Sequence, residues 1–257
     1  MKARKHGVLA MLSIVRELRR GNGDPRPLSV AGARELVPLL ARQLREGGDH
    51  AAVVEGRLED VAALVWIGPA DEQQLRAASR ANVPIVAVSE EQTMPYVLET
   101  DIVRIGRGEG FPVARIATAV AHKLGEDATT LGARLPALRE AVCDELIASF
   151  SRRNGVIGAA TFIPGADLPV LTLNQIRLVL RLAVAHGEPI DNQRALELAG
   201  VVGAGYGLRA LARQLLDPVP VAGWVVKGGV AYSGTRGIGE AAVRYFASRS
   251  NSVRTGS

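Results

Sequence analysis

Ala62-Ala-Leu-Val-Trp-Ile67, Asp71-Glu-Gln-Gln-Leu-Arg-Ala-Ala-Ser-Arg80 and Pro84-Ile-Val-Ala-Val88 decide how the fold of this chain is read. The outer two runs are short, apolar and rich in branched residues, and Gly, Asp or Pro bounds each; such runs form strands buried on both faces. The middle run has a clean polar face, which suits a helix laid over a sheet. Strand, helix and strand in that order make a βαβ unit, and two buried parallel strands need more neighbours. Ala51-Ala-Val-Val54 and Asp101-Ile-Val-Arg-Ile105 supply them, and a helix from Pro112 to Leu124 completes a small α/β layer of three or four mostly parallel strands.

Upstream, residues 7–20 and 29–46 read as two amphipathic helices separated by Gly21-Asn-Gly-Asp-Pro25, with Ser29 as an N-cap. Met1 to Val15 superficially resembles a signal peptide. Its apolar run ends at Arg16-Glu-Leu-Arg-Arg20 without a small-residue cleavage site, so the reading is a helix and not a targeting signal.

Downstream the pattern is helical. Pro136 suits the first turn of a helix to Arg153, and Asn154-Gly155 reads as its end. Thr172 opens a helix through Ala185, stopped by His186-Gly187. The stretch Ala195 to Leu216, then Asp217-Pro-Val-Pro220 and a second apolar run, reads as a tight helical hairpin. Gly200, Gly203 and Gly207 fall on one helical face, and with Gly223 they are the expected points of close helix packing. The expected organisation is amphipathic helices over 1–48, an α/β domain over 49–130, a helical domain over 131–248 and a disordered tail over 249–257: α/β followed by all-α.

Composition bounds the function. The chain has 257 residues, 47% hydrophobic and only 4% aromatic, so a core built from Ala, Val, Leu and Ile is expected. Residues 1–50 and 131–257 each carry a net charge of +5 and residues 51–130 carry −5. Basic ends suit anionic lipid, nucleic acid or the acidic middle. No interleaved aromatics or known module accompany them, which ranks nucleic acid last. The single cysteine, Cys143, excludes an internal disulfide and points to the cytoplasm.

No motif carries a reaction. Tyr232-Ser-Gly-Thr-Arg-Gly-Ile-Gly239 is similar to a dinucleotide-binding turn but leaves too few residues after it for the sheet such a turn serves. The four histidines are scattered and Cys143 has no nearby His, so neither a metal site nor a nucleophile is expected. Arg209 and Arg213 are one helical turn apart, as are Arg177 and Arg181. A bilayer span is penalised by Lys227, Arg209 and Arg213. Interfacial contact is easier, with Lys227 snorkelling and Trp224 and Tyr232 at headgroup depth. Trp224, Lys227, Arg209 and Arg213 are thus the expected membrane or partner contacts. Gly68, Asp71 and Ser89, each at a strand end, are the expected lining of a ligand crevice.

Leu173-x-Gln175, Gly187, Leu208-Arg-Ala-Leu-Ala-Arg213, Pro220-x-x-Gly223 and Gly234-x-x-x-x-Gly239 before Tyr245-Phe246 together resemble the bacterial YcjF-type domain, domain-of-unknown-function family 697, over about Leu168 to Phe246. That resemblance implies a partnership with Era-like GTPases and makes the α/β region look like a degenerate GTPase domain. The phosphate loop Gly-x-x-x-x-Gly-Lys-Ser/Thr is missing, and Ser89-Glu-Glu-Gln92 stands where the guanine motif belongs. The expectation is a protein without catalysis or cofactor, a scaffold at the inner face of the cell membrane or on a partner protein; a nucleotide or small-molecule binding module is the alternative.

Overall fold

A computed structural model describes residues 24–106, 108–160, 168–188 and 223–255. They divide between Glu145 and Leu146 into two compact units. The chain is α/β followed by an all-α region.

The α/β unit is one parallel sheet of five strands: β1 (Leu28–Gly32), β2 (Val53–Glu55), β3 (Ala63–Ile67), β4 (Ile85–Ser89) and β5 (Ile102–Arg104). Their order is β2-β1-β3-β4-β5, a doubly wound arrangement whose direction switches between β1 and β3. Register pairs Gly32 with Ile67 and Ile67 with Val88. Helix α1 (Val37–Arg45) links β1 to β2, α2 (Glu72–Arg80) links β3 to β4, and α3 (Val113–Leu124) follows β5.

Leu28–Gly32 corrects the expected helix over 29–46. Ser29 caps nothing; it lies buried in a central strand and its hydroxyl donates to Arg57 O at 2.6 Å. The helix begins at Val37, so Pro38 sits in its first turn, where its missing N–H costs nothing. The strand also raises the expected three or four strands to five and carries the α/β unit upstream of residue 49.

The two faces of the sheet are covered unequally. Contacts of α1 with β1 and β2, and of α3 with β3, β4 and β5, cover one face. On the other, Ala31, Leu64, Trp66, Ile85 and Ala87 pack with Leu75 and Ala78 of α2. That helix is well defined at both ends. Asp71 accepts from Gln74 N at 3.0 Å and from the Gln74 side chain at 2.8 Å, an N-terminal cap. At the other end Asn82, with φ +54°, and Val83 donate back to Ser79 O and Ala78 O in a Schellman closure. Beside α2, the β2–β3 and β4–β5 crossovers have no α-helix. Side chains from those loops, Val61 and Met94, fill the space instead.

A short helix, α4 (Thr129–Arg134), and the start of the long helix α5 (Pro136–Ala160) continue the chain. Leu131, Leu135, Leu138 and Val142 are buried there. The helical unit contains the rest of α5, then α6 (Leu168–Ala185) and α7 (Gly223–Thr255). Helix α5 does not end at Asn154-Gly155 as expected, because both residues serve contacts inside the bundle. Helix α6 ends as expected: Gly187, at φ +78°, allows Gly187 and Glu188 to donate to Val184 O and Ala183 O. Helix α7 runs through residues 249–255, correcting the expected disordered tail; no Gly or Pro interrupts it between Gly239 and Gly256.

Candidate functional site

Open parallel sheets bind ligands outside the carboxyl ends of their strands, at the switch in winding direction, because the two diverging connections leave a crevice there. Here the chain closes it. Beyond Gly32 and Ile67 the two strands stay bonded, Ala33 N–H donating to Ile67 O at 2.7 Å. Gly32 has φ +121°, and a Cβ built on it would lie 2.1 Å from Ile67 O. A Cβ on Gly68, at φ +99°, would lie 2.9 Å from Ala33 Cβ. Backbone therefore comes close to backbone at the edge where a ligand's phosphate or ring would enter.

The three expected crevice residues each have a structural task at this edge. Gly68 makes the close approach to Ala33, and its N–H donates to Val88 O at 2.9 Å. Asp71 caps α2, and the hydrogen bonds from Gln74 N and then from the Gln74 side chain hold its carboxyl below the usual carboxylate range. Ser89 is buried, and its hydroxyl accepts from Glu91 N at 3.2 Å.

The opening at this edge lies to one side, a groove of about 360 Å³ between α1 and residues 105–111. Leu36 and Leu39 give it an apolar wall and Arg42 a cation; Glu90, Ile105 and Phe111 stand opposite. Gly106 N–H donates to Glu109 Oε2 at 3.0 Å, which folds the glycine-rich loop on itself. The alternating glycines of Ile105-Gly-Arg-Gly-Glu-Gly-Phe111 were the available signal for this loop, but α1 meets it only through the sheet order.

In the helical unit the helices pack closely. A Cβ on Gly158 would lie 2.8 Å from Ala231 Cβ and 3.0 Å from Lys227 O; one on Gly228 would lie 3.0 Å from Gly155 O. Helices α5 and α7 therefore cross almost backbone to backbone, the geometry that small residues permit. Buried positions Gly228, Ala231, Thr235 and Gly239 follow three- and four-residue steps along α7, and Phe246 lies two turns further on. The segment similar to a dinucleotide-binding turn lies inside this unbroken helix.

A polar chain runs through the same core. Asn174 Nδ2 donates to Asn154 Oδ1 at 2.9 Å, and Asn154 Nδ2 donates to Thr235 Oγ1 at 2.9 Å. Gln175 Nε2 also donates to Thr235 Oγ1, at 3.3 Å, and that hydroxyl donates to Ala231 O at 2.8 Å. All four side chains are buried.

Of the expected contact residues, Lys227 is exposed on α7, and Gly223 and Trp224 open that helix. Arg209, Arg213, Gly200, Gly203 and Gly207, with the first arm of the expected hairpin, lie outside the described residues, as does the expected helix over 7–20. Packing glycines that sequence reasoning missed are Gly155, Gly158 and Gly228. Their spacing was visible, but Asn154-Gly155 also matches a turn.

Cys143 is buried, and the loss of water around it pushes its thiol up to about 12, away from nucleophilic use. Among the described residues no cluster of His, Cys, Asp and Glu has the arrangement to hold a metal ion, and no helix is long and apolar enough to cross a membrane. Comparison with family models, with curated proteins and with solved structures finds no match to this chain.

Proposed function

We infer that this chain works by contact and not by catalysis: a scaffold whose helical unit meets an anionic membrane face or a partner protein from the cytoplasmic side. One observation carries this reading. The two helices that cross at Gly155 and Gly228 also hold large apolar side chains in water: Val156 is 68% exposed on α5, and Val226 and Val230 are 56% and 47% exposed on α7, with Lys227 between them. Valines beside a lysine, on a crossing with almost no side-chain bulk, suit a surface on which another apolar layer rests. The YcjF-type resemblance adds a GTPase as a candidate companion, and the closed switch point argues against a nucleotide of the chain's own.

Flotation of the purified full chain with phosphatidylcholine–phosphatidylglycerol vesicles in low salt tests this. The chain is expected in the lipid fraction. The triple variant Val226→Ser, Lys227→Glu, Val230→Ser is expected to lower that recovery about tenfold, since apolar burial and charge attraction both contribute. Complete absence of the unmodified chain from the lipid fraction removes the membrane and leaves a protein partner.

The groove beside α1 favours a second reading, a binding module without catalysis, because it joins an apolar wall to a cation at the ligand-binding edge of the sheet. Calorimetry of the full chain against GTP, ATP and cyclic dinucleotides separates the two. Heat that disappears in Arg42→Ala establishes the second reading; no heat from any of them leaves the first.

A further inference from the structure

The β4–β5 crossover, residues 90–101, spans the sheet without an α-helix, and its middle is shaped in an unusual way. Met94 turns inward and is buried against the α2 face of the sheet, and Val97 packs partly against the same cluster. Between them the chain reverses: Val97 N–H donates to Met94 O at 3.2 Å, and the two residues pair as an isolated antiparallel bridge. Pro95 takes the second position of this turn and Tyr96 the third, with φ +64°. A proline followed by a residue of positive φ is the pattern of a type II turn, whose third position favours glycine or asparagine.

The other non-glycine residues of positive φ among the described residues are Asp60 and Asn82, whose short polar side chains tolerate that conformation. A tyrosine has no such relief. Nor does its ring serve the core, because Tyr96 is 47% exposed and Leu98, two residues on, is 66% exposed. The turn therefore holds a tyrosine and a leucine in water, anchored from below by Met94.

The charge around this pair selects what can cover it. Glu90, Glu91 and Glu99 are exposed on the same crossover, and no Lys or Arg occurs from Ser89 through Val103. The phosphates of an anionic membrane or a nucleic acid would be repelled. A basic polypeptide surface with an apolar recess would gain on both counts: aromatic side chains dominate the energetics of such anchors, and opposite charge steers the approach and fixes register.

We propose that the Met94–Leu98 turn is a docking surface for a basic segment of a partner protein, with Tyr96 and Leu98 as its apolar anchors and the three glutamates as its charged rim. This rests on the contact reading of the chain and adds a surface, on the α/β unit, separate from the valines of α7.

Photo-crosslinking in the chain's own host tests it. The full chain carries p-benzoylphenylalanine at position 96, at position 98 in a second variant, and at position 230 in a third. Light-dependent adducts are expected from 96 and 98, with the crosslinked partner peptide carrying net positive charge. Reversing the rim with Glu90→Lys, Glu91→Lys and Glu99→Lys is expected to lower the adduct at least tenfold, while far-ultraviolet dichroism and tryptophan fluorescence stay unchanged. An adduct to lipid, to nucleic acid or to an acidic peptide overturns the proposal, as does an adduct indifferent to the charge reversal. Adducts at 230 with none at 96 or 98 overturn the turn surface and leave the contact reading standing; none at any of the three overturns both.

Discussion

Replacing Gly32 by alanine is expected to unfold the α/β unit or leave it close to unfolding. Two independent penalties act at this position. A non-glycine residue at φ +121° is strained whatever space surrounds it, by roughly 1–2 kcal/mol on the scale for left-handed conformations. The added Cβ would also stand 2.1 Å from Ile67 O, a backbone atom of the central strand that no side-chain rotation can move away. Overpacking against an unyielding neighbour costs roughly 1–3 kcal/mol and sometimes more. Together the loss is on the order of 4 kcal/mol, a large share of the 5–15 kcal/mol that typically holds a domain folded. Trp66 is in β3 and 2% exposed, so in a Trp224→Phe background, which removes the other tryptophan, urea unfolding followed by its fluorescence reports on this unit. Gly56→Ala is the control: its φ of +70° brings similar strain, but nothing lies within 4 Å of the added methyl. A Gly32→Ala midpoint no lower than that of Gly56→Ala would show that the ends of β1 and β3 can part. The closed crevice, and the argument against a ligand there, would fall with it.

The central βαβ unit was legible because its determinants are local: Ala63–Ile67 and Ile85–Ser89 are continuous apolar runs bounded by Pro, Asp or Gly, and Asp71 with Gln74 marks the start of the helix between them. Strand β1 was not legible. Leu28-Ser-Val-Ala-Gly32 runs into the helical pattern of Leu36–Arg45 with no change of period, and what makes it a strand is pairing with residues 53–55 and 63–67, far along the chain. Asn154-Gly155 misled for a related reason. Those two residues favour turns in isolation, but here Asn154 bonds to α6 and α7, and Gly155 leaves room for Tyr232, whose Cβ would otherwise lie 3.3 Å from an added methyl. The groove depends on the same kind of information, since α1 and the loop over 105–111 meet only once β1 and β5 have places in one sheet. Local propensity is a weak prior wherever tertiary partners decide, and these are the places where they do.

Replacing Thr235 by valine is expected to destabilise the helical unit by about 2–4 kcal/mol, although valine fills nearly the same volume. The hydroxyl is where α5, α6 and α7 are joined: it accepts from Asn154 and Gln175 and donates to Ala231 O. A methyl group in its place would strand two buried amide donors, each costing roughly 1–3 kcal/mol unless another acceptor is found. Partial rescue is available because the Asn154 amide can rotate, but its carbonyl already accepts from Asn174, so turning it would break a second bond. Thr235→Ser keeps the hydroxyl and loses one buried methyl, a cost of about 1 kcal/mol. Far-ultraviolet dichroism in urea, where helix dominates the signal, measures both variants; in a Trp224→Phe background Trp66 fluorescence should be the same in each, because that residue belongs to the α/β unit. The ratio of the two losses carries the argument. Along the seam Gly228, Ala231 and Gly239 offer little side chain to interlock. One hydroxyl reached from two helices singles out one register, the use for which buried polar groups are best attested. Equal losses for valine and serine would mean that packing sets the register and that the polar chain is incidental to it. A loss at least twice as large for valine makes Thr235 the residue that holds Val226, Lys227 and Val230 at their place on the surface.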